Sequence, residues 1–170
     1  VDTDVARALA EAGCLDLGES RPQELWHKAE ALADLPIRWH LIGHWQRNKV
    51  QRTLPYVALL HAGDSLRLLA EVSRQRLAAQ SSSSSEQPWS PLPTLLEVNV
   101  SGDAAKHGFG MDEVADRLSE IAALAGIQIQ GLMAMSGLDS DEQQTRREFA
   151  AVGALAERLR AAAPAGVQFP

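Results

Sequence analysis

Apolar residues at Val5, Ala8, Leu9 and Ala12 follow three- and four-residue spacing, which predicts a helix over residues 2–12. Asp2, Thr3 and Asp4 read as its cap and acidic first turn, and Gly13 as its stop. The pattern then shortens. Residues 14–18 alternate like a strand, and Ser20 with Gln23 forms a capping box for a helix through about Leu32. Residues 37–42 repeat the scheme with a β-rich run ended by Gly43, and residues 46–52 offer a short helical stretch before Pro55. A third apolar run, residues 56–60, precedes Gly63, an Asp64 or Ser65 cap, and a helix whose face carries Leu66, Leu69, Ala70, Val72 and Leu77. Residues 92–100 predict a fourth strand and 111–125 a helix bearing Val114, Leu118, Ile121, Ala122 and Leu124. Residues 127–133 predict a fifth strand. Ser140 and Gln143 then cap a long helix carrying Phe149, Val152, Leu155, Ala156 and Leu159.

Strands alternating with helices imply parallel pairing through right-handed crossovers, in either an open doubly wound sheet or a (β/α)8 barrel. The pattern alone leaves both open. Polar and glycine-rich stretches at 18–21, 43–49, 61–65, 99–109 and 135–141 all follow predicted strands, the end where both architectures place ligand chemistry. Residues 81–91, opening with five serines, instead follow a helix and read as a flexible low-complexity insertion on the opposite face. The chain opens on Val1 and begins a further strand at 167–169 that has no room to finish, so the interior of a longer domain is expected.

Composition narrows the function. With 170 residues, 45% hydrophobic and 22% charged, the chain reads as one globular domain spanning 1–170. Twenty-two acidic against sixteen basic side chains leave a charge of -6, the wrong sign for binding a phosphate backbone, so no nucleic acid is expected. No apolar run is long enough to span a membrane, and the N-terminus lacks a signal-peptide pattern. The one cysteine, Cys14, lies between Gly13 and Leu15 and reads as a small buried residue; it cannot form an internal disulfide, which fits a reducing cytoplasm.

Three segments carry candidate chemistry. WHLIGHWQRNK (39–49) puts His40 in a strand and His44, Gln46, Arg47, Asn48 and Lys49 beyond it, facing a ligand or forming a core histidine and a solvated loop. The His40–His44 spacing would pair metal ligands on a helix, but Gly43 breaks this strand, and no metal is expected. In EVNVSGDAAKHGF (97–109), Asn99 interrupts an apolar strand end, where a buried amide requires partners and a ligand could be one. Lys106 and Gly108 follow, either meeting an anionic group or solvated. In GLMAMSG (131–137), Met133 and Met135 stand at strand spacing as core filling or as a surface for a flat ring. GxSxG, Walker and GxGxxG signatures are absent, and no paired-carboxylate site is marked.

Taken in register, LGESRPQEL (17–25), WHLIGHWQRNK, EVNVSGDAAKHGF and GLMAM (131–135) resemble the pyridoxal phosphate homeostasis protein family, whose fold is like the N-terminal barrel of alanine racemase. The resemblance covers almost the whole chain. It implies a (β/α)8 TIM-type barrel, incomplete in this chain, that binds pyridoxal 5'-phosphate (PLP) at its top face and buffers or delivers it without catalysis. It implies the first strand and its Schiff-base lysine upstream of Val1, and the phosphate-binding segments of the last two strands beyond Pro170. His40, Asn99, Lys106, Ser20 and Met133 carry over as residues lining the cofactor pocket. Leu17 and Ser20 stand where the family usually has phenylalanine and asparagine. Lys28 sits on a predicted helix, away from the loops, and Trp39 and Trp45 lie near the pocket. The implied partners are PLP and PLP-dependent apoenzymes, with a monomer in the cytoplasm. A fold-related PLP-dependent racemase or decarboxylase, and a barrel module that has lost its cofactor, are the alternatives.

Overall fold

The computed structural model describes residues 1–82, 89–103, 106–137 and 140–164. Five parallel strands, β1 (Asp16–Glu19), β2 (Arg38–Leu41), β3 (Val57–Gly63), β4 (Leu92–Glu97) and β5 (Ile127–Met133), lie side by side in chain order. Helices separate them: α1 (Thr3–Glu11) leads, and α2 (Pro22–Ala31), α3 (Val50–Thr53), α4 (Leu66–Ser82), α5 (Met111–Ala122) and α6 (Glu142–Ala162) follow the strands in turn. A doubly wound sheet reverses its strand order at a switch point. This sheet never reverses, so every right-handed crossover runs the same way and all the helices cover one face, as in a barrel wall.

Burial alternates accordingly. Trp39, Leu41, Leu60, Ala62, Leu92, Leu96, Ile127 and Ile129 face the helices and are buried, while His40, Leu59, His61, Leu95, Gln128 and Gln130 face the concave side and are half-buried or exposed. The core lies between sheet and helices, with Leu25, Leu69, Val72, Leu118, Ile121 and Leu155 meeting the strand residues. Each such side chain contributes about 1.5–3 kcal/mol of hydrophobic stabilisation. A register shift between Thr94 and Leu95, opposite Gly131, sets Met133 beside Glu97 on the concave face. No described helix is long and apolar enough to cross a membrane.

Several expectations change here. The buried stripe of α1 is Ala6 and Ala10, with Val5 and Leu9 exposed, because the small side chains are the ones packed onto the rest of the fold. Arg7 beside them holds Asp34 through two bonds (2.8 and 3.0 Å). Cys14 is exposed, since β1 starts two residues after it and Gly13, with φ of 95°, turns the chain there. The cap of α2 is Arg21 with Pro22 at the first turn, and Ser20 makes no capping bond. Asp141 rather than Ser140 caps α6, accepting the Gln144 N–H at 2.7 Å. Helix α4 buries Leu68, Leu69, Val72 and Ser73, leaving Leu77 exposed, and continues into the first two serines of the expected insertion. Phe149 is exposed on α6, where Glu148, Leu155 and Leu159 turn inward. The strand expected at 167–169 lies outside the described residues.

Candidate functional site

The carboxyl ends of the five strands open onto one rim. At β1, the Glu19 carboxylate receives the N–H groups of Ser20 (2.8 Å) and Arg21 (3.3 Å) and forms a short ion pair with Lys28 of α2. Lys28 is therefore buried against the strand end rather than away from the loops. Burial pushes the Glu19 carboxyl up, but the Lys28 bond and the two backbone N–H groups outweigh it and hold the group below its ordinary value. Ser20 itself lines a cavity of about 290 Å³ with Arg21, Gln23, His44, Gln46 and Lys49.

On β2, His40 turns back along the sheet. Its Nδ1 lies 3.1 Å from His61 Nε2, and its Nε2 lies 3.2 Å from Oδ1 of Asp16, the first residue of β1. Arg38 holds that same carboxylate. Strand β3 runs three residues past the predicted run, so His61 is a strand residue on the concave face rather than a loop residue. Burial first, and His40 second, lower the basicity of His61. The unfolded chain then takes up a proton near the ordinary value of 6.5 that the folded protein resists, so stability falls as pH drops below that value. Urea titrations between pH 7.5 and 5 are expected to show this loss, and His61→Gln to flatten it.

The rim between β3 and β4 carries ionisable groups that the motifs did not single out. Buried Asp64 places Oδ2 2.7 Å from His44 Nδ1, and its Oδ1 accepts the Ser65 hydroxyl at 2.9 Å. The His44 ring stacks on His107, with centroids 4.1 Å apart and planes 13° apart. Glu97, buried at the end of β4, is raised above its ordinary value by desolvation and then by the Asp64 charge. An acid directly after the strand segment LLHAG is the signal the sequence holds for Asp64, beside its reading as a helix cap.

The loop after β4 is closed by its own hydrogen bonds. Phe109 N–H donates to Glu97 O (2.8 Å), and Asn99 N–H donates to Phe109 O (2.9 Å). Gly108, with φ of 106°, fits this closure because a Cβ there would sit 2.9 Å from Asn99 N. The Asn99 amide is satisfied locally: Nδ2 donates to Asp103 O (2.7 Å) and Oδ1 accepts from Ser101 (3.1 Å), so its polar groups do not require a ligand. Lys106 donates to Ser136 O at 3.0 Å. It also lines a cleft of about 580 Å³ with Ser101, Ser140, Gln144 and Glu148. Glu148 accepts bonds from Gly137, Ser140 and Gln144, and the Gln144 bond foremost holds its carboxyl low.

Of the residues carried over by resemblance, Asn99 and Lys106 share one loop, and Met133 lies beside that loop's stem opposite Glu97. Ser20 sits at the β1–β2 end with His44, and His40 is engaged lower, with His61 and Asp16. Trp45 is buried next to His44, and its Nε1 finds no partner among the described residues.

A parallel wall of unreversed strand order, with its polar loops gathered on one rim, defines part of a (β/α)8-type barrel, and the sequence says which. The profile of the "Alanine racemase, N-terminal domain" family matches residues 2–168, and the chain belongs to that family. Within it, the chain is 35% identical over 136 residues to the pyridoxal phosphate homeostasis protein of Pseudomonas aeruginosa, covering 78% of this chain and 55% of that one. It is 32% identical to the protein of the same name from Mycobacterium leprae, covering 84% and 58%. The chain thus spans little more than half the length of these relatives. The solved structure of PipY from Synechococcus elongatus PCC7942 with PLP bound superposes with a TM-score of 0.84 at 28% identity, over 95% of this chain and 71% of that one. Alanine racemase from Clostridium difficile, at 13% identity and a TM-score of 0.76, shares the fold.

Proposed function

We propose that this chain is part of a non-catalytic PLP-binding barrel that buffers the cofactor and releases it to PLP-dependent apoenzymes. The observation that carries the reading is the rim itself, where Asn99, Lys106 and Met133 gather at the ends of β4 and β5 in a fold close to a relative solved with PLP. The donor set suits the cofactor. Met133, half-buried at the end of β5, offers apolar surface to a flat ring. Lys106 supplies positive charge toward an anionic substituent from the loop that Asn99 helps to close, and Ser20, Arg21 and Lys49 line a separate cavity at the ends of β1 and β2. Bound PLP supplies an electrophilic aldehyde that captures primary amines. His40 stands below the rim with both ring nitrogens engaged, one by His61 and one by Asp16, and its part in the reading is to support the concave face under the cofactor. The reading extends to a monomer acting in the cytoplasm, with the Schiff-base lysine on the strand that precedes α1 in such barrels.

The test is a PLP titration of the intact protein followed by absorbance, borohydride reduction and peptide mapping. Saturable binding is expected, and Lys106→Ala should weaken it by roughly 10-fold, the loss of one hydrogen bond to a charged group. A protein that takes up no PLP would overturn the proposal in favour of a module without cofactor. Racemisation or decarboxylation of amino acids by the loaded protein would overturn its non-catalytic part.

A further inference from the structure

We propose that His44, Asp64 and His107 form a binding site for a divalent transition-metal ion of the zinc type, on the rim where the loops after β2, β3 and β4 meet. One ligand atom from each of the three residues lies within 4.8 Å of the others. Two imidazoles and a carboxylate suit zinc and its neighbours, whereas calcium and magnesium demand oxygen ligands. Tetrahedral ligation with bonds of about 2.0–2.1 Å sets ligand atoms roughly 3.3 Å apart, so small side-chain rotations convert the present arrangement into a coordinated one. The 2.7 Å His44–Asp64 contact would open slightly, and His107 would turn from its stacked position beside His44.

The site has a rigid side and an adjustable side. Asp64 is anchored at the end of β3, 8% exposed, with its Oδ1 oriented by the Ser65 hydroxyl, which leaves Oδ2 directed at His44. His44 follows Gly43, whose Cα packs so closely on Ser20 that a Cβ would lie 2.4 Å from its carbonyl oxygen. His107 is the adjustable member, exposed on the loop closed by Asn99 and Phe109. The two histidine rings are open to solvent, which gives an ion its entry path. Buried Glu97, at the end of β4, adds acidic charge on the same side of the rim, a surrounding that a divalent cation complements. An ion held here would tie the loop carrying Lys106 to the ends of β2 and β3. The spacing of His40 and His44 marks no metal pair on a strand broken by Gly43; the fold brings Asp64 and His107 to His44 from other loops.

The intact protein, stripped with a chelator and dialysed, would be titrated with Co2+ while its visible ligand-field absorbance is followed, and the Co2+ then displaced with Zn2+. The expected result is one ion per chain. His44→Ala and His107→Ala should each weaken binding by more than about 100-fold, beyond what loss of an outer-sphere partner costs. His27→Ala, an exposed histidine on α2, should leave it unchanged. Both test residues are exposed, so circular dichroism and urea midpoints are expected to match the parent and to separate lost ligation from lost folding. Absence of saturable Co2+ binding, or binding that survives both substitutions or disappears with His40→Ala instead, would overturn the assignment.

Discussion

Glu19→Ala is expected to destabilise the protein by about 3–5 kcal/mol, because it leaves the Lys28 ammonium buried without its counter-charge. The two side chains are only 7% and 12% exposed, and the carboxylate also holds the backbone N–H groups of Ser20 and Arg21. Removing it therefore leaves the ammonium buried and unpaired and takes the acceptor from those two N–H groups. A surface pair of the same composition would be worth well under about 1 kcal/mol. Chemical denaturation of the single variants Glu19→Ala and Lys28→Met, and of the double variant, measures the coupling. The double variant should recover the part of the loss that comes from the unpaired ammonium, while the part from the truncated Glu19 side chain remains. Additive losses would show that the pair is not coupled. The same pair carries an acid sensitivity. The Glu19 carboxyl is held below its ordinary value of 4.5, so its contribution is present above that value and is lost as pH falls through the lower, folded-state value.

Gly126→Ala is expected to cost about 3 kcal/mol or more, at or above the upper end of ordinary overpacking. A Cβ at this position would lie 2.3 Å from the Ser73 carbonyl oxygen and 2.6 Å from its Cα, backbone atoms of α4 that cannot rotate away. The Gly126 N–H also donates to the Ser73 hydroxyl at 2.9 Å, so moving the turn away from α4 breaks a buried hydrogen bond as well. Gly153→Ala is the control. Gly153 lies within α6 with nothing within 4 Å of a Cβ, and alanine there should stabilise by about 0.5–1 kcal/mol through helix propensity. Thermal midpoints of the two variants should move in opposite directions. Equal shifts would show that the turn before β5 can yield.

Much of the candidate site was legible because its signals are local. Asn99 and Lys106 stand in a loop after an apolar strand, Met133 at a strand end, and His40 within a strand, as their neighbours in the sequence imply. What was not legible depends on meetings between loops. Asp64 reads as a cap until His44 arrives from one loop and His107 from another. Glu97 reads as an ordinary strand-edge acid until the bulge at Gly131 and the bridge between Val98 and Phe109 bury it. Lys28 reads as a helix residue away from the loops until α2 folds back onto the end of β1.

The sequence by itself determined the alternation of strands and helices, the bounds of β5, the apolar stripe of Val114, Leu118 and Ile121 on α5, and the gathering of polar loops after strands. These follow from periodicity and turn chemistry within a few residues of each position. Only the tertiary structure decided that the strands lie in unreversed order, that α1 buries Ala6 and Ala10 rather than Val5 and Leu9, and that His44, Asp64 and His107 converge. Helix rotation is set by which side chains fit against the neighbouring elements, and strand order by packing summed over the whole sheet. Neither leaves a mark at the spacing of neighbouring residues.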